Sequence, residues 1–115
     1  MNGVYQKMES DKFYCLEEIV SALKKEIDAD VLCEEYRHLN DSRICIISFE
    51  KFFWRSTSYA GLTVVITEFN DKKTADIIGT GGSSSIMEFS WGANTWLPEV
   101  AENVLKRYGF YKERV

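Results

Sequence analysis

Three runs of alternating residues, joined by links of three residues, constrain this chain more than any other feature. Arg43 to Arg55 reads R-I-C-I-I-S-F-E-K-F-F-W-R, Tyr59 to Phe69 reads Y-A-G-L-T-V-V-I-T-E-F, and Lys73 to Thr80 reads K-T-A-D-I-I-G-T. Period-two alternation of β-branched and aromatic residues is the pattern of a strand with two distinct faces. The links Ser56-Thr57-Ser58 and Asn70-Asp71-Lys72 are too short for a crossover, so neighbouring strands must run antiparallel. Cys45, Ile47, Phe49 and Phe53 share one face of the first run, and Leu62, Val64 and Ile66 one face of the second. Ile44, Ile46, Ser48, Glu50, Phe52 and Trp54 fall on the opposite side. A strand apolar on both sides is central, or carries something on its second face.

Before these runs, Val31 to His38 also shifts to period two, but both of its faces mix apolar and charged residues. That is the reading of a short edge strand, with Asn40-Asp41-Ser42 as its turn. Further upstream, Leu16, Ile19, Val20, Leu23 and Ile27 form the single apolar stripe of a helix that ends near Asp28 to Asp30. Glu17 and Glu18 lead and Lys24 and Lys25 follow, the order that suits a helix dipole. After the last alternating run, Thr80 to Ser85 is rich in glycine and serine, and Ile86 to Trp91 reads as a fifth strand. Asn94 or Thr95 can cap a second helix, which Pro98 places near its first turn. Trp96, Leu97, Val100, Val104, Leu105 and Tyr108 form its stripe, and Gly109 is its stop.

The expected fold is therefore α+β. An antiparallel meander sheet of four or five strands carries an N-terminal and a C-terminal helix on one face, a two-layer α-β-β-β-β(-β)-α sandwich with the other face partly open. Residues 1–12 read as a loosely ordered lead-in, 13–109 as a single domain and 110–115 as a tail, loose or docked by its aromatics. At 115 residues a single core is sufficient without metals or disulfides.

A net charge of −4 argues against a general nucleic-acid binder, which needs a concentrated basic face. No run approaches the length of a membrane span, and Met1 to Asp11 lacks a signal-type apolar core. Cys15, Cys33 and Cys45 are odd in number and widely spaced, which fits reduced thiols and a cytoplasmic location.

Chemistry is sparse. His38 is the sole histidine, so a nucleophile–base pair would depend on it, and no signature surrounds it. Neither a metal site nor a cofactor is expected, and no residue is assigned a catalytic role. Gly79 to Ser85 invites a phosphate reading through backbone amides, but it lacks a P-loop lysine and precedes a strand. A bulge or bend of the sheet accounts for it more simply. Phe52-Phe53-Trp54-Arg55 places an arginine at the end of an aromatic strand, able to clamp an acid or to cover a ring. If Phe52, Trp54 and Trp91 share the open face, that face suits a ligand groove or a self-association surface.

Three elements together carry a resemblance: E-E-Y-R at 34–37, F-E-K-F-F-W-R at 49–55, and G-G-x-x-x-I-x-x-F-x-W-G-A at 81–93. They resemble a family of small bacterial proteins, mostly from Firmicutes, classed only as a domain of unknown function. The resemblance covers about residues 13–108, with Ser90 where the pattern has an aspartate. It implies a cytosolic bacterial stand-alone domain and no catalytic residue.

The expected function is a non-catalytic binding or self-association module that uses an aromatic sheet face. Its candidate contacts are Glu50, Trp54, Arg55, Gly81, Gly82, Ser83 and Trp91. The alternative is a small enzyme acting on an acidic or phosphorylated metabolite through Glu50 and Arg55, with Asp76 as a further carboxylate. Expected partners are a second copy of the chain and a small molecule or protein, with neither nucleic acid nor membrane among them.

Overall fold

The structure is a computed structural model that describes residues 3–54, 57–81 and 97–112. Strand β1 (Gly3–Ser10) is followed by helix α1 (Leu16–Glu26) and then by β2 (Asp30–Leu39), β3 (Ser42–Phe53), β4 (Ser58–Phe69) and β5 (Lys72–Gly81). Helix α2 (Leu97–Arg107) and the short β6 (Tyr111–Lys112) complete the order. The strands form one six-stranded antiparallel sheet, β2-β3-β4-β5-β1-β6.

The α+β class, the antiparallel sheet and the β2-to-β5 meander are as the alternation predicts. The strand count is not. The stretch read as a lead-in supplies β1, which lies antiparallel to β5 from Gly3 opposite Thr80 to Ser10 opposite Lys73. The tail supplies β6, which pairs Met8 with Lys112 and Glu9 with Tyr111. The helices are consequently not the terminal elements: α1 follows a strand and α2 precedes one. The expected fifth strand, Ile86 to Trp91, and the caps Asn94 and Thr95 lie outside the described residues.

One face of the sheet carries both described helices. Leu16, Ile19, Val20, Leu23 and Ile27 of the first stripe are all buried. So are Leu97, Ala101, Val104 and Leu105, while Val100 and Tyr108 of the predicted second stripe sit at its margin. They meet Cys45, Ile47, Phe49, Leu62, Val64, Ile66, Ala75 and Ile77 in one core, and Met8 of β1 joins it. Every second residue of β3, β4 and β5 thus points to the helices, as period two requires.

Both tight links place an asparagine in the left-handed region, Asn40 at φ 53° and Asn70 at φ 56°, a conformation its short polar side chain tolerates. Where α2 begins, a Cβ on Gly79 would lie 2.4 Å from Pro98 Cγ, so the first turn of the helix rests directly on strand β5.

Helix α2 ends in a Schellman motif. The Phe110 amide donates to the Leu105 carbonyl at 3.1 Å and the Gly109 amide to the Lys106 carbonyl at 3.1 Å, with Gly109 at φ +84°. The turn drops Phe110 into the core and starts β6. Replacing Gly109 by alanine puts a Cβ 2.3 Å from Lys12 Cγ in a backbone region hostile to L side chains. The expected cost is about 1–2 kcal/mol, read as a lower urea midpoint at unchanged slope. An unshifted midpoint would contradict this role for the glycine.

Candidate functional site

The sheet face opposite the helices has no cover among the described residues. Its rows follow from the pairing. Glu50 stands opposite Gly61 and Thr80 opposite Gly61 and Gly3. The next row holds Ser48, Thr63, Ile78 and Tyr5, in which the Ser48 and Thr63 hydroxyls are 2.6 Å apart. Ser48, Thr63, Gly61 and Thr80 thus lie beside the aliphatic Ile46, Val65 and Ile78, and three rings gather at one end.

That end is built by β3 and β4. Phe52 is opposite Tyr59 with ring centroids 4.9 Å apart, and Trp54 meets Phe52 edge-on at 5.1 Å. Such pairs satisfy the ring quadrupoles and fix ring orientation. Trp54 nevertheless remains 85% exposed and Tyr59 56%. A cleft of about 340 Å³ adjoins them, lined by Asp28, Asp30, Glu50, Lys51, Phe52 and Trp54. Lys51 donates to Asp28 at 3.0 Å across its rim.

Among the sequence-predicted contacts, Glu50 and Trp54 line this cleft. Gly81 pairs with Ala60, which pairs with Lys51, so it lies at the same end of the sheet two strands away, but in a row that faces the helices rather than the open face. Arg55, Gly82, Ser83 and Trp91 lie outside the described residues. Asp28 and Asp30 are additions that periodicity could not supply. They follow the end of α1, and only the pairing of Asp30 with Glu50 brings them to the cleft.

Asp76 does not join Glu50. It stands opposite Val65, four residues along β4 from Gly61, and β5 is two strands from β3. Ordinary sheet spacings make that separation roughly 16 Å. Asp76 instead accepts a 2.6 Å hydrogen bond from the Tyr5 hydroxyl. An acid–base constellation of these two carboxylates is ruled out by distance. His38 is exposed on the edge strand, and no three His, Cys, Asp or Glu side chains among the described residues converge as metal ligands. Burial pushes the Cys45 thiol above its ordinary value, which suits a core residue rather than a nucleophile.

Two other features mark the helix side. A groove of about 540 Å³ runs between α1 and α2 over Tyr14, Glu18, Lys25 and Tyr108, but Glu26 and Arg107 pair across it. At the start of α1, Glu17 accepts from the Cys15 thiol and from Arg43, and the two, in that order, hold its carboxyl down at about 2. Arg43 reaches Glu68, which in turn faces the buried Lys73 at 3.4 Å. These charges neutralise one another within the fold.

Comparison with known proteins adds a family and no activity. No curated protein matches the chain, and no solved structure does. The profile of a family of unknown function, DUF6054, matches residues 2–109, a span that takes in every strand from β1 to β5 and both helices. The chain belongs to that family.

Proposed function

We propose that this protein is a non-catalytic binding or self-association module whose contact surface is the aromatic end of its open sheet face. The observation that carries the reading is Trp54, 85% exposed yet held edge-on by Phe52 beside a cleft. A large ring kept in a fixed pose and left in water contributes nothing to the core, whereas a partner that covers it gains apolar burial at little ordering cost. Glu50 and Trp54 are the contacts that the sheet register supports, whereas Gly81 falls in the row of the buried Ala60, on the helix side of the sheet. Arg55, Gly82, Ser83 and Trp91 extend the set on sequence grounds alone. The competing reading, an enzyme acting on an acidic or phosphorylated metabolite through Glu50 and Arg55, has lost Asp76 as a helper. The exposed free thiols of Cys15 and Cys33 support a reducing compartment, in keeping with a bacterial cytosolic domain.

The test is a titration of the 15N-labelled protein with indole, adenosine and aromatic carboxylates, together with its own dilution series. Resonance shifts are expected to concentrate on residues 50–54 and 59–61. Trp54→Ala should weaken the response at least tenfold while leaving stability within about 0.5 kcal/mol, as for other exposed positions. Shifts scattered elsewhere, or a Trp54→Ala protein that responds like the parent, would overturn the reading.

A further inference from the structure

Among the described residues, strand β2 is the outer strand of the sheet, and every one of its residues is exposed. Leu32, Tyr36 and Leu39 are among the exposed large hydrophobic residues. Edge strands offer unpaired backbone groups, and proteins usually blunt them with charged side chains, lysine above all, with proline or with a bulge. Charges of both signs, such as Glu34, Glu35 and Arg37 here, can instead pair across a two-fold. Here the bulge lies at one end, between Val31 and Cys33, and residues 33–39 continue in unbroken register with β3. That stretch, C-E-E-Y-R-H-L, contains neither proline nor lysine.

Its sequence is complementary to itself in one register. A two-fold axis normal to the sheet keeps each residue on its own face, so one residue must lie on the axis. With the axis at Tyr36, the whole regular stretch overlaps its copy. Glu35 then faces the partner's Arg37, Glu34 faces the partner's His38, and Cys33 faces the partner's Leu39. An axis at Glu34 or Glu35 sets like carboxylates against each other, and one at Arg37 does the same for guanidinium groups. An axis at Cys33 runs the pairing into the bulge, and one at His38 runs it into the Asn40 turn. Opposite charges across an antiparallel pair stabilise it and like charges destabilise it, so the alternatives are selected against.

We infer that the protein forms a two-fold homodimer by antiparallel pairing of β2 with β2 about Tyr36, which joins two sheets into one continuous sheet. About six to eight main-chain hydrogen bonds close the former edge. Glu35 and Arg37, 3.8 Å apart within one chain, become half of a four-charge cluster with their copies. Glu34, already bonded to Lys24 at 2.9 Å, gains the partner's imidazole. This edge is separate from the Trp54 end of the open face, and either surface can be in use without the other.

Sedimentation velocity from micromolar to millimolar concentration reads the association. Glu35→Arg and Arg37→Glu should each weaken the dimer at least tenfold, because each sets like charges opposite one another. The double variant E35R/R37E recreates both pairs with the signs exchanged and should dimerise within about threefold of the parent. Register is read by Leu39→Cys in a Cys15→Ser background, where oxidation should give a linked dimer through Cys33 and the introduced thiol. Adding Cys33→Ser should abolish the link. Positions 33 and 39 of one extended strand are about 20 Å apart and cannot bridge within a chain. A monomer throughout the range overturns the inference, as does a dimer indifferent to both charge reversals. A dimer lost on Trp54→Ala but kept in the charge variants would place association on the open face and overturn the edge.

Discussion

Replacing Met8 by alanine is expected to cost the fold about 2–5 kcal/mol, the range for truncating a fully buried large side chain. Met8 is 0% exposed and lies between Ala75 of β5 and Lys112 of β6. The strand that carries it is anchored at its far end as well. The buried Ser10 hydroxyl donates to the Tyr108 carbonyl at 3.2 Å and accepts from the Lys12 amide at 3.1 Å. Removing the methionine leaves a cavity under the β5–β1–β6 side of the sheet, where neither helix can collapse to fill it without breaking its own stripe. Urea denaturation followed by circular dichroism measures the loss. Val4→Ala on the same strand is the control, since Val4 is partly exposed and should cost about 1 kcal/mol or less. Equal small effects at both positions would mean that residues 3–10 are not an integral strand.

The reason Met8 was hard to read in the sequence is the reason β1 was. Its core-side residues are Val4, Gln6, Met8 and Ser10, so alternation gives two apolar positions in a run interrupted by polar ones. An internal strand such as β4 buries four in succession, Ala60, Leu62, Val64 and Ile66, and needs no context to be recognised. Helix stripes are equally explicit, because packing on a sheet demands an unbroken apolar face from α1. What no single run encodes is which strands are neighbours. Met1 to Asp11 is 60 residues or more from β5, and only the closed register shows that a mostly polar segment covers the open side of that strand. The candidate site divides in the same way. Glu50, Phe52 and Trp54 are legible as one face of the run from Arg43 to Arg55 because they alternate. Asp28 and Asp30 enter the cleft only through the Asp30–Glu50 pairing, and Asp76 leaves it because register sets it two strands and four residues away.

The second large effect is expected at Glu68, where alanine should destabilise the protein by about 2–4 kcal/mol. Lys73 has only 5% of its side chain exposed and, among the described residues, two partners, Glu68 at 3.4 Å and the Lys12 carbonyl at 3.2 Å. Glu68 and Lys73 are directly opposite on β4 and β5, and Arg43, opposite Glu68 on β3, approaches the same carboxylate at 3.7 Å. One anion therefore serves two cations at the margin of the core. Without it Arg43 can still turn to Glu17, which is exposed to solvent, whereas Lys73 retains a buried charge with a single carbonyl acceptor. The asymmetry gives a specific pattern. Lys73→Met removes the buried charge and leaves Glu68 its arginine, so it should cost less than about 1 kcal/mol. In the double variant E68A/K73M the penalty of the stranded ammonium disappears, and the combined loss should fall about 1–3 kcal/mol short of the sum of the two singles. Additive effects, or a Lys73→Met protein less stable than Glu68→Ala, would show that the lysine is held by its aliphatic stem and not by the carboxylate. Such a result would move the weight of this margin from charge to packing, and Arg43 with Glu17 would then be its only ion pair of consequence.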